Sequence, residues 1–372
     1  MMKWEHCNCN WKKVFTILVI FALLTSLVIY HSPRLSIRQF QSIPTTKSSV
    51  WLNKIKHARE QEETIKFLES STEKGNLIDD KFGKVNFDIN GSDVLVFLHM
   101  QKTGGSEFGR HLVSNLILSK ECDILEHRKR RNCLRPNSDV ETWIFSRYST
   151  GWACGLHSGW TDLHECIADK MTDLEKVDKK RNFFYVTMLR DPVKRYLSEW
   201  KHVQRGATWR TTRYACKGRE YDIPKCYTGN DWREVSLQQF MSCQYNMAHN
   251  RQTRMLADLR LANCYQRWSD KNMTVTQIKQ IENDMLKSAM DNLRDMTFFG
   301  LLEQQEKFQK LFEYIFPFKF KNNFVQSNMT RVSTFVPTKE EIDEILELNY
   351  LDVKLYDFAK KLFERRYIRS IS

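Results

Sequence analysis

Two uninterrupted apolar runs predict strands that are buried on both faces of a sheet. They cover residues 94–98 and 183–189, and apolar positions at helical spacing follow each run. Such continuous runs are typical of parallel strands, because helices cover both faces of a parallel sheet. Near the C-terminus, Thr338 and Glu341 form a capping box, and most apolar residues after it share one helical face. This alternation predicts an α/β domain of three layers with a central parallel sheet.

A third apolar run, close to the N-terminus, predicts a membrane anchor. Residues 14–30 carry no charged side chain and follow Lys3, Lys12 and Lys13, so the positive-inside rule keeps the N-terminus cytosolic. A cleaved signal peptide is the alternative, but its apolar region would be only about 7–15 residues long, and residues 30–34 make a poor cleavage site. The expected order is a cytosolic tail at 1–13, a span at 14–30, a lumenal stem at 31–85 and a globular domain at 86–372.

The cysteines agree with a lumenal domain. Eight follow the apolar run: Cys122, Cys133, Cys154, Cys166, Cys216, Cys226, Cys243 and Cys264. An even number in this compartment predicts disulfides. Zinc is the alternative, but no two of the eight have C-x₂₋₄-C spacing. The connectivity cannot be deduced from the sequence, and the simplest hypothesis pairs neighbours along the chain.

Charge and sequons narrow the class of partner. The formal net charge of +13 indicates a polyanion, which could be a nucleic acid, an acidic membrane or an acidic glycan. The sequons at Asn90, Asn272 and Asn328 are expected glycosylation sites of a secretory-pathway protein. Together with the anchor, they argue against a nuclear nucleic-acid-binding protein.

The turn after the first apolar run has the chemistry of an anion site. Lys102 precedes Gly104 and Gly105, and a helical pattern follows. Backbone N–H groups at a glycine turn and a helix N-terminus bind anions. The full G-x-x-x-x-G-K-[ST] pattern is absent, because the lysine precedes the glycines. Taken alone, the segment fits an ordinary strand-to-helix turn equally well.

A second candidate anion site follows the second apolar run. Arg190 comes directly after that run, and Ser198 follows about two helical turns later. An arginine at the end of a strand can fork onto a phosphate, although a surface helix of mixed charge is the alternative. Two anion sites at the carboxyl ends of two buried strands suit a nucleotide with phosphates at both ends.

Longer strings resemble the heparan sulfate 6-O-sulfotransferases, which are Golgi type II membrane enzymes that use 3′-phosphoadenosine 5′-phosphosulfate (PAPS). The strings are residues 98–105, 145–152, 154–157, 189–192, 195–200, 202–209, 250–252 and 254–259. The resemblance extends from about residue 92 to about residue 367. It implies the sulfotransferase fold, which is similar to that of P-loop NTPases, with PAPS as co-substrate, heparan sulfate as acceptor and no metal.

The resemblance also implies roles for individual residues. His157 matches the catalytic base, and Lys102 matches the lysine that faces the transferring group. Donor contacts are implied for His99, Met100, Gln101, Lys102, Thr103, Gly104, Gly105, Ser106, Glu107, Arg190, Ser198, Phe324, Val325, Gln326, Thr330 and Arg331. Acceptor contacts are implied for Lys129, Arg130, Arg147, Trp152, His157, His202 and Trp209.

One position departs from the family pattern. Two threonines usually follow the glycines, whereas this chain has Ser106 and Glu107. Glu107 brings negative charge to a phosphate site, and we expect it to point outward because the surrounding motif is intact. The departure leaves open an inactive glycan-binding protein on the same fold. Transfer to the uronic acid 2-hydroxyl is another alternative. Without the resemblance, His157 would fit a core histidine, and the basic run at 128–131 would fit a solvated surface.

Overall fold

A four-stranded parallel sheet forms the centre of the domain. The computed structural model describes residues 82–125, 129–208, 211–325 and 335–372. The strand order is β4 (Ile144–Phe145), β1 (Asp93–Leu98), β5 (Asn182–Leu189) and β8 (Phe298–Leu301), and each pairing in this sheet is parallel. Every residue of β1 and β8 is buried. The two strands predicted from apolar runs, and the parallel α/β arrangement, are therefore confirmed.

The remaining elements surround this sheet. Two short antiparallel ribbons pair β2 (Asp123–Ile124) with β3 (Arg131–Asn132), and β6 (Ala215–Cys216) with β7 (Arg219–Glu220). The helices are α1 (Gly105–Asn115), α2 (Trp160–Glu175), α3 (Pro192–Gln204), α4 (Leu237–Ser242), α5 (Arg251–Leu256), α6 (Gln266–Ser269), α7 (Val275–Asp295), α8 (Gln305–Ile315), α9 (Lys339–Leu348) and α10 (Tyr350–Ile371).

The C-terminal helical pattern forms two helices rather than one. The predicted capping box begins α9, since the Thr338 side chain accepts a hydrogen bond from the Glu341 N–H. Asn349 separates α9 from α10 and is fully buried. Its Oδ1 accepts a hydrogen bond of 3.2 Å from the Asn250 N–H, ahead of α5. The break therefore provides a polar contact that joins distant parts of the chain.

The predicted membrane span at 14–30 lies outside the described residues, as does all but the last part of the predicted stem. Within the described ranges, no helix combines the length and the apolar character that crossing a bilayer requires.

Four disulfides join the eight cysteines of the described domain. Cys122–Cys133 and Cys154–Cys166 pair neighbours, as hypothesised. For the other four cysteines the neighbour hypothesis is wrong, because Cys216 pairs with Cys264 and Cys226 pairs with Cys243. The reason is the packing of the β6–β7 ribbon. The rings of Tyr214 and Tyr221, which flank the ribbon, lie 5.3 and 5.9 Å from the Tyr265 ring, which brings Cys216 beside Cys264.

A buried ion network joins α3, α5 and α10. Glu199 accepts hydrogen bonds of 2.5 Å from Arg195 Nη1 and 2.9 Å from Arg251 Nε. Arg195 Nε also lies 3.8 Å from Asp352 Oδ2, and the same oxygen accepts the Gln252 N–H at 3.1 Å. Burial alone would raise the pKa of Glu199, but the charges of Arg251 and Arg195 outweigh it, and the pKa is lowered. Glu199 is therefore ionised at neutral pH and holds the two arginines in place.

We expect Glu199→Gln to lower the free energy of unfolding by about 3–5 kcal/mol, because it removes the carboxylate that two buried guanidinium groups share and leaves Arg251 without its counter-charge. Urea unfolding of the purified protein measures the change. Glu364→Gln is the matched control, since Glu364 pairs with Lys307 on the surface and should contribute less than about 1 kcal/mol. Similar unfolding free energies for the two variants would contradict a stabilising role for the network.

Candidate active site

The loop between β1 and α1 is shaped by its glycines. Lys102 and Gly104 both have positive φ, at 66° and 82°. A Cβ on Gly104 would lie 2.5 Å from Leu302 Cδ1, and a Cβ on Gly105 would lie 2.7 Å from His99 Cδ2. Side chains at these two positions are therefore excluded, which lets α1 begin directly at the carboxyl end of β1. The first N–H groups of a helix at such a strand end favour a bound anion.

Arg190 connects the end of β5 to this loop. Its Nη1 donates a hydrogen bond of 3.1 Å to the carbonyl oxygen of Lys102. The Gln252 side chain holds the Arg190 backbone from both sides, because Oε1 accepts the Arg190 N–H at 2.9 Å and Nε2 donates to the Arg190 carbonyl at 3.0 Å. Among the described residues, the buried Nε of Arg190 has no hydrogen-bond partner. A buried donor without a partner is unfavourable, and an anion bound at this strand end would supply one.

Lys102 lies in the electrostatic field of helix α3. Burial lowers the pKa of Lys102; Glu199 opposes this, and Arg205 and Arg190 add to it. Burial also lowers the pKa of His202 to about 4, and the charge of Lys102 contributes. The two predicted anion-site segments and the predicted acceptor residue His202 are thus brought into one region. Ser198 is partly buried on the same helix.

His157 is held as a neutral imidazole. Its Nδ1 lies 2.9 Å from the carbonyl oxygen of His99, and a carbonyl can only accept, so Nδ1 carries the proton. Burial lowers the pKa of His157 to about 4, the charges of Arg251 and Arg147 add to this shift, and the hydrogen bond to His99 opposes it. At neutral pH the lone pair therefore lies on Nε2. The ring also contacts Trp152, with ring centroids 4.5 Å apart.

A covalent bond and a hydrogen bond secure the loop that carries His157. The Cys154–Cys166 disulfide ties the loop to α2. Ser158 Oγ donates to the carbonyl oxygen of Cys154 at 2.6 Å. His157 itself has a positive φ of 54°, a conformation that a non-glycine residue adopts only when its surroundings hold it there.

A groove of about 590 Å³ lies beside this region. Four of the predicted acceptor residues line it: Lys129, Arg130, Arg147 and Trp152. The Arg147 guanidinium lies 5.3 Å from the centre of the Trp152 ring, and Arg147 Nη1 donates to Ser106 Oγ at 3.1 Å. Arg147 therefore links the groove to the donor loop. A volume of this size is typical of a ligand site.

Comparison with known proteins identifies the family of this chain. Residues 85–359 match the profile of the sulfotransferase family. Heparan-sulfate 6-O-sulfotransferase 1-B of Danio rerio is 52% identical over 288 residues, which are 76% of this chain and 69% of the relative. Heparan-sulfate 6-O-sulfotransferase 2 of Gallus gallus is 49% identical over 293 residues, 77% of this chain and 71% of the relative. The chain belongs to the heparan sulfate 6-O-sulfotransferase family. It spans a smaller share, 60%, of heparan-sulfate 6-O-sulfotransferase 3 of Homo sapiens, to which it is 51% identical over 292 residues.

Some of the roles implied by the family resemblance are not tested by the structure. The side chain of Phe324 is buried and packs 5.0 Å from the Phe308 ring centroid, whereas Val325 is exposed. Trp209, Gln326, Thr330 and Arg331 lie outside the described residues, as do the sequon at Asn328 and the residue Arg128. The donor and acceptor roles of these residues stay predictions.

Several positioning residues were not recognised from the sequence. Gln252 and Arg251 fall inside a string that resembles the family, but the string alone does not tell their roles. Gln252 meets Arg190 across 62 positions of the chain, and Arg251 meets Glu199 across 52. Lys170 also lines the groove, but nothing in the sequence distinguishes it from other lysines. The signal for all of them is spatial.

Glu107 lies in the first turn of α1 and is partly buried. Burial raises the pKa of Glu107, while the charges of Arg110, Lys102 and Arg190 lower it. The carboxylate is therefore close enough to interact electrostatically with Lys102 and Arg190, one cation from each predicted anion site. The outward orientation expected from the sequence stays a prediction, because a partly buried position fits either orientation.

We expect the His157 ring of the ligand-free protein to stay neutral, with its proton on Nδ1, until the pH falls to about 4. Burial disfavours the imidazolium form, so neutrality is retained above that pH and lost below it. Side-chain ¹⁵N NMR across pH 4–8 measures the titration, and the spectrum of His157→Ala assigns the signal. A midpoint near 6.5, the ordinary value for histidine, would contradict this arrangement.

Proposed function

We propose that the protein transfers the sulfuryl group of PAPS to the 6-hydroxyl of glucosamine residues in heparan sulfate. One observation carries the proposal: the neutral, Nδ1-protonated His157 contacts Trp152 of the cationic groove and receives its orientation from His99 of the donor loop. A base at that junction can reach an acceptor hydroxyl and a donor together. The names of the relatives support the acceptor class and the position of transfer.

His157 serves as the general base in this proposal. Its Nε2 takes the proton of the sugar 6-hydroxyl as the oxygen attacks sulfur. The new bond joins O6 to sulfur, and the bond that breaks joins sulfur to the bridging oxygen of the donor. General base catalysis of this kind contributes about 10²–10⁴-fold. A neutral ring is required, because an imidazolium cannot accept a proton.

Lys102 and Arg190 act on the other side of the transferring group. Lys102 stabilises the negative charge that develops on the bridging oxygen of the departing adenosine 3′,5′-bisphosphate. Arg190, with Ser198 two helical turns further on, binds the 3′-phosphate. The unpaired Nε of Arg190 and its anchoring by Gln252 support this role. None of the residues in this scheme acts as a metal ligand.

The proposal includes a cellular setting and a finer fold description. A type II topology in the Golgi membrane rests on the apolar run at 14–30 and on the lysines before it. Glycosylation of Asn90 and Asn272 is supported by their exposure, and Asn328 carries the third sequon. The fold is of the three-layer sulfotransferase type, similar to P-loop NTPases.

Product analysis tests the proposed function. The full chain is incubated with ³⁵S-labelled PAPS and heparan sulfate, and the product is digested to disaccharides. Label at the glucosamine 6-position is the expected result. Label at the uronic acid 2-position would replace this activity with the 2-O alternative, and absence of label would overturn the enzyme assignment.

An inactive glycan-binding protein is the second candidate, and Glu107 favours it. A carboxylate near Lys102 and Arg190 would compete with the donor for the same cations. The predicted outward orientation implies that Glu107→Thr leaves the PAPS dissociation constant unchanged within about twofold. Calorimetry measures it. Tightening by about 1–2 kcal/mol, the scale of a hydrogen bond to a charged group, would show competition and favour the inactive protein.

We expect His157→Ala to reduce transfer by at least about 10²-fold while PAPS binding stays within about twofold, because His157 is proposed to act on the acceptor hydroxyl. Sulfate incorporation and donor calorimetry measure the two properties. His164→Ala is the control, since His164 is a second histidine of lowered pKa that stacks on Trp160 and Tyr185 and is not among the residues that line the groove. Turnover like that of the wild type in folded His157→Ala would refute the assignment.

A further inference from the structure

The acceptor groove has a second wall, which helix α2 provides. Lys170, Asp173 and Leu174 line the groove together with the residues assigned from the family resemblance. They occupy positions i, i+3 and i+4, so they share one face of the helix. None of the three belongs to the set of residues predicted to bind the acceptor.

The charges on this wall differ from those of the rest of the groove. Lys129, Arg130 and Arg147 are cations, and among the described residues that line the groove Asp173 is the one carboxylate. Lys170 Nζ lies 2.9 Å from Asp173 Oδ2. This hydrogen bond lowers the pKa of Asp173, so the carboxylate stays ionised at neutral pH. Helix α2 therefore presents a compensated ion pair where the other charged groups are positive.

We propose that Lys170 binds an anionic group of the acceptor chain and that Asp173 competes with this group for Lys170. This inference rests on the proposed function and adds a specificity-determining pair to it. An acceptor gains from the subsite only when it places a sulfate or carboxylate close enough to displace Asp173. The pair thus makes binding depend on where anionic groups lie along the chain, which a uniformly cationic wall would not do.

A covalent bond links the helix of this subsite to the loop of the proposed base. Cys166 lies four residues before Lys170 on α2 and forms the disulfide with Cys154, three residues before His157. Residues four apart on a helix are neighbours on its surface. The disulfide thus ties the helix that carries Lys170 to the loop that carries His157, and an anion bound at Lys170 contributes to the register in which the chain presents a hydroxyl.

The inference is tested with the full chain and the variants Lys170→Gln and Asp173→Asn. Two probes are used: an unsulfated uronic acid–N-acetylglucosamine polymer, which carries carboxylates only, and the same polymer after N-sulfation. We expect Lys170→Gln to weaken binding by about two- to fivefold and Asp173→Asn to strengthen it by a similar factor, the scale of one exposed ion pair. Effects on both polymers identify a carboxylate as the bound group, and effects confined to the second identify a sulfate.

A matched ion pair outside the groove provides the control. Asp357 and Lys360 on α10 have the same spacing, an N–O distance of 2.8 Å and side-chain exposures of 58% and 49%, compared with 62% and 44% for Asp173 and Lys170. Asp357→Asn and Lys360→Gln change the net charge identically and should leave binding unchanged. Equal effects in the two pairs would overturn the subsite.

Failure of this inference and failure of the proposed function are separable. If the wild type transfers sulfate to the 6-position but Lys170→Gln and Asp173→Asn bind both polymers as the wild type does, the subsite alone is refuted. If the wild type transfers no sulfate and the two variants still change binding in opposite directions, the subsite stands and the enzyme assignment fails. The acceptor KM of the active protein gives a further readout, because a pure binding contact changes KM and leaves kcat unaltered.

Discussion

Glu199 accepts hydrogen bonds from two arginines in the interior of the domain, and the side of the candidate site that we propose to bind phosphate depends on that arrangement. Arg251 is followed by Gln252, whose side chain holds the Arg190 backbone. The network holds α5 in place, and α5 in turn positions the residue at the end of β5. Burying three charges is seldom the most stabilising use of a core. The network matters here for geometry, because through Gln252 it fixes Arg190, whose guanidinium reaches the donor loop.

Burial lowers the pKa of both groups proposed to act in transfer. It removes the proton from His157, which makes the ring a base at neutral pH, and it lowers the pKa of Lys102, which weakens its hold on the proton. Both effects come from the cost of placing positive charge in a site shielded from water. An anionic donor would favour the charged form of Lys102, so the lysine and its phosphate ligand stabilise each other.

The sequence predicted elements whose signal is local. The apolar runs that became β1 and β5, and the capping box at Thr338, depend on neighbours in the chain. The roles of His157 and Lys102 came from a family resemblance, because no periodicity distinguishes a base from a core histidine. Contacts between distant segments escaped prediction: the Cys216–Cys264 pairing depends on ring packing, and the hydrogen bonds of Gln252 to Arg190 depend on helix α5 meeting the end of β5.

Gly105 has no room for a side chain because His99 occupies the space that a Cβ would need. His99 also orients His157 through its carbonyl oxygen. The residue that leaves no room at Gly105 is thus also the residue that orients the proposed base. A side chain at position 105 would have to displace the His99 ring, so a change made in the predicted donor loop would also disturb the hydrogen bond that sets the protonated nitrogen of His157.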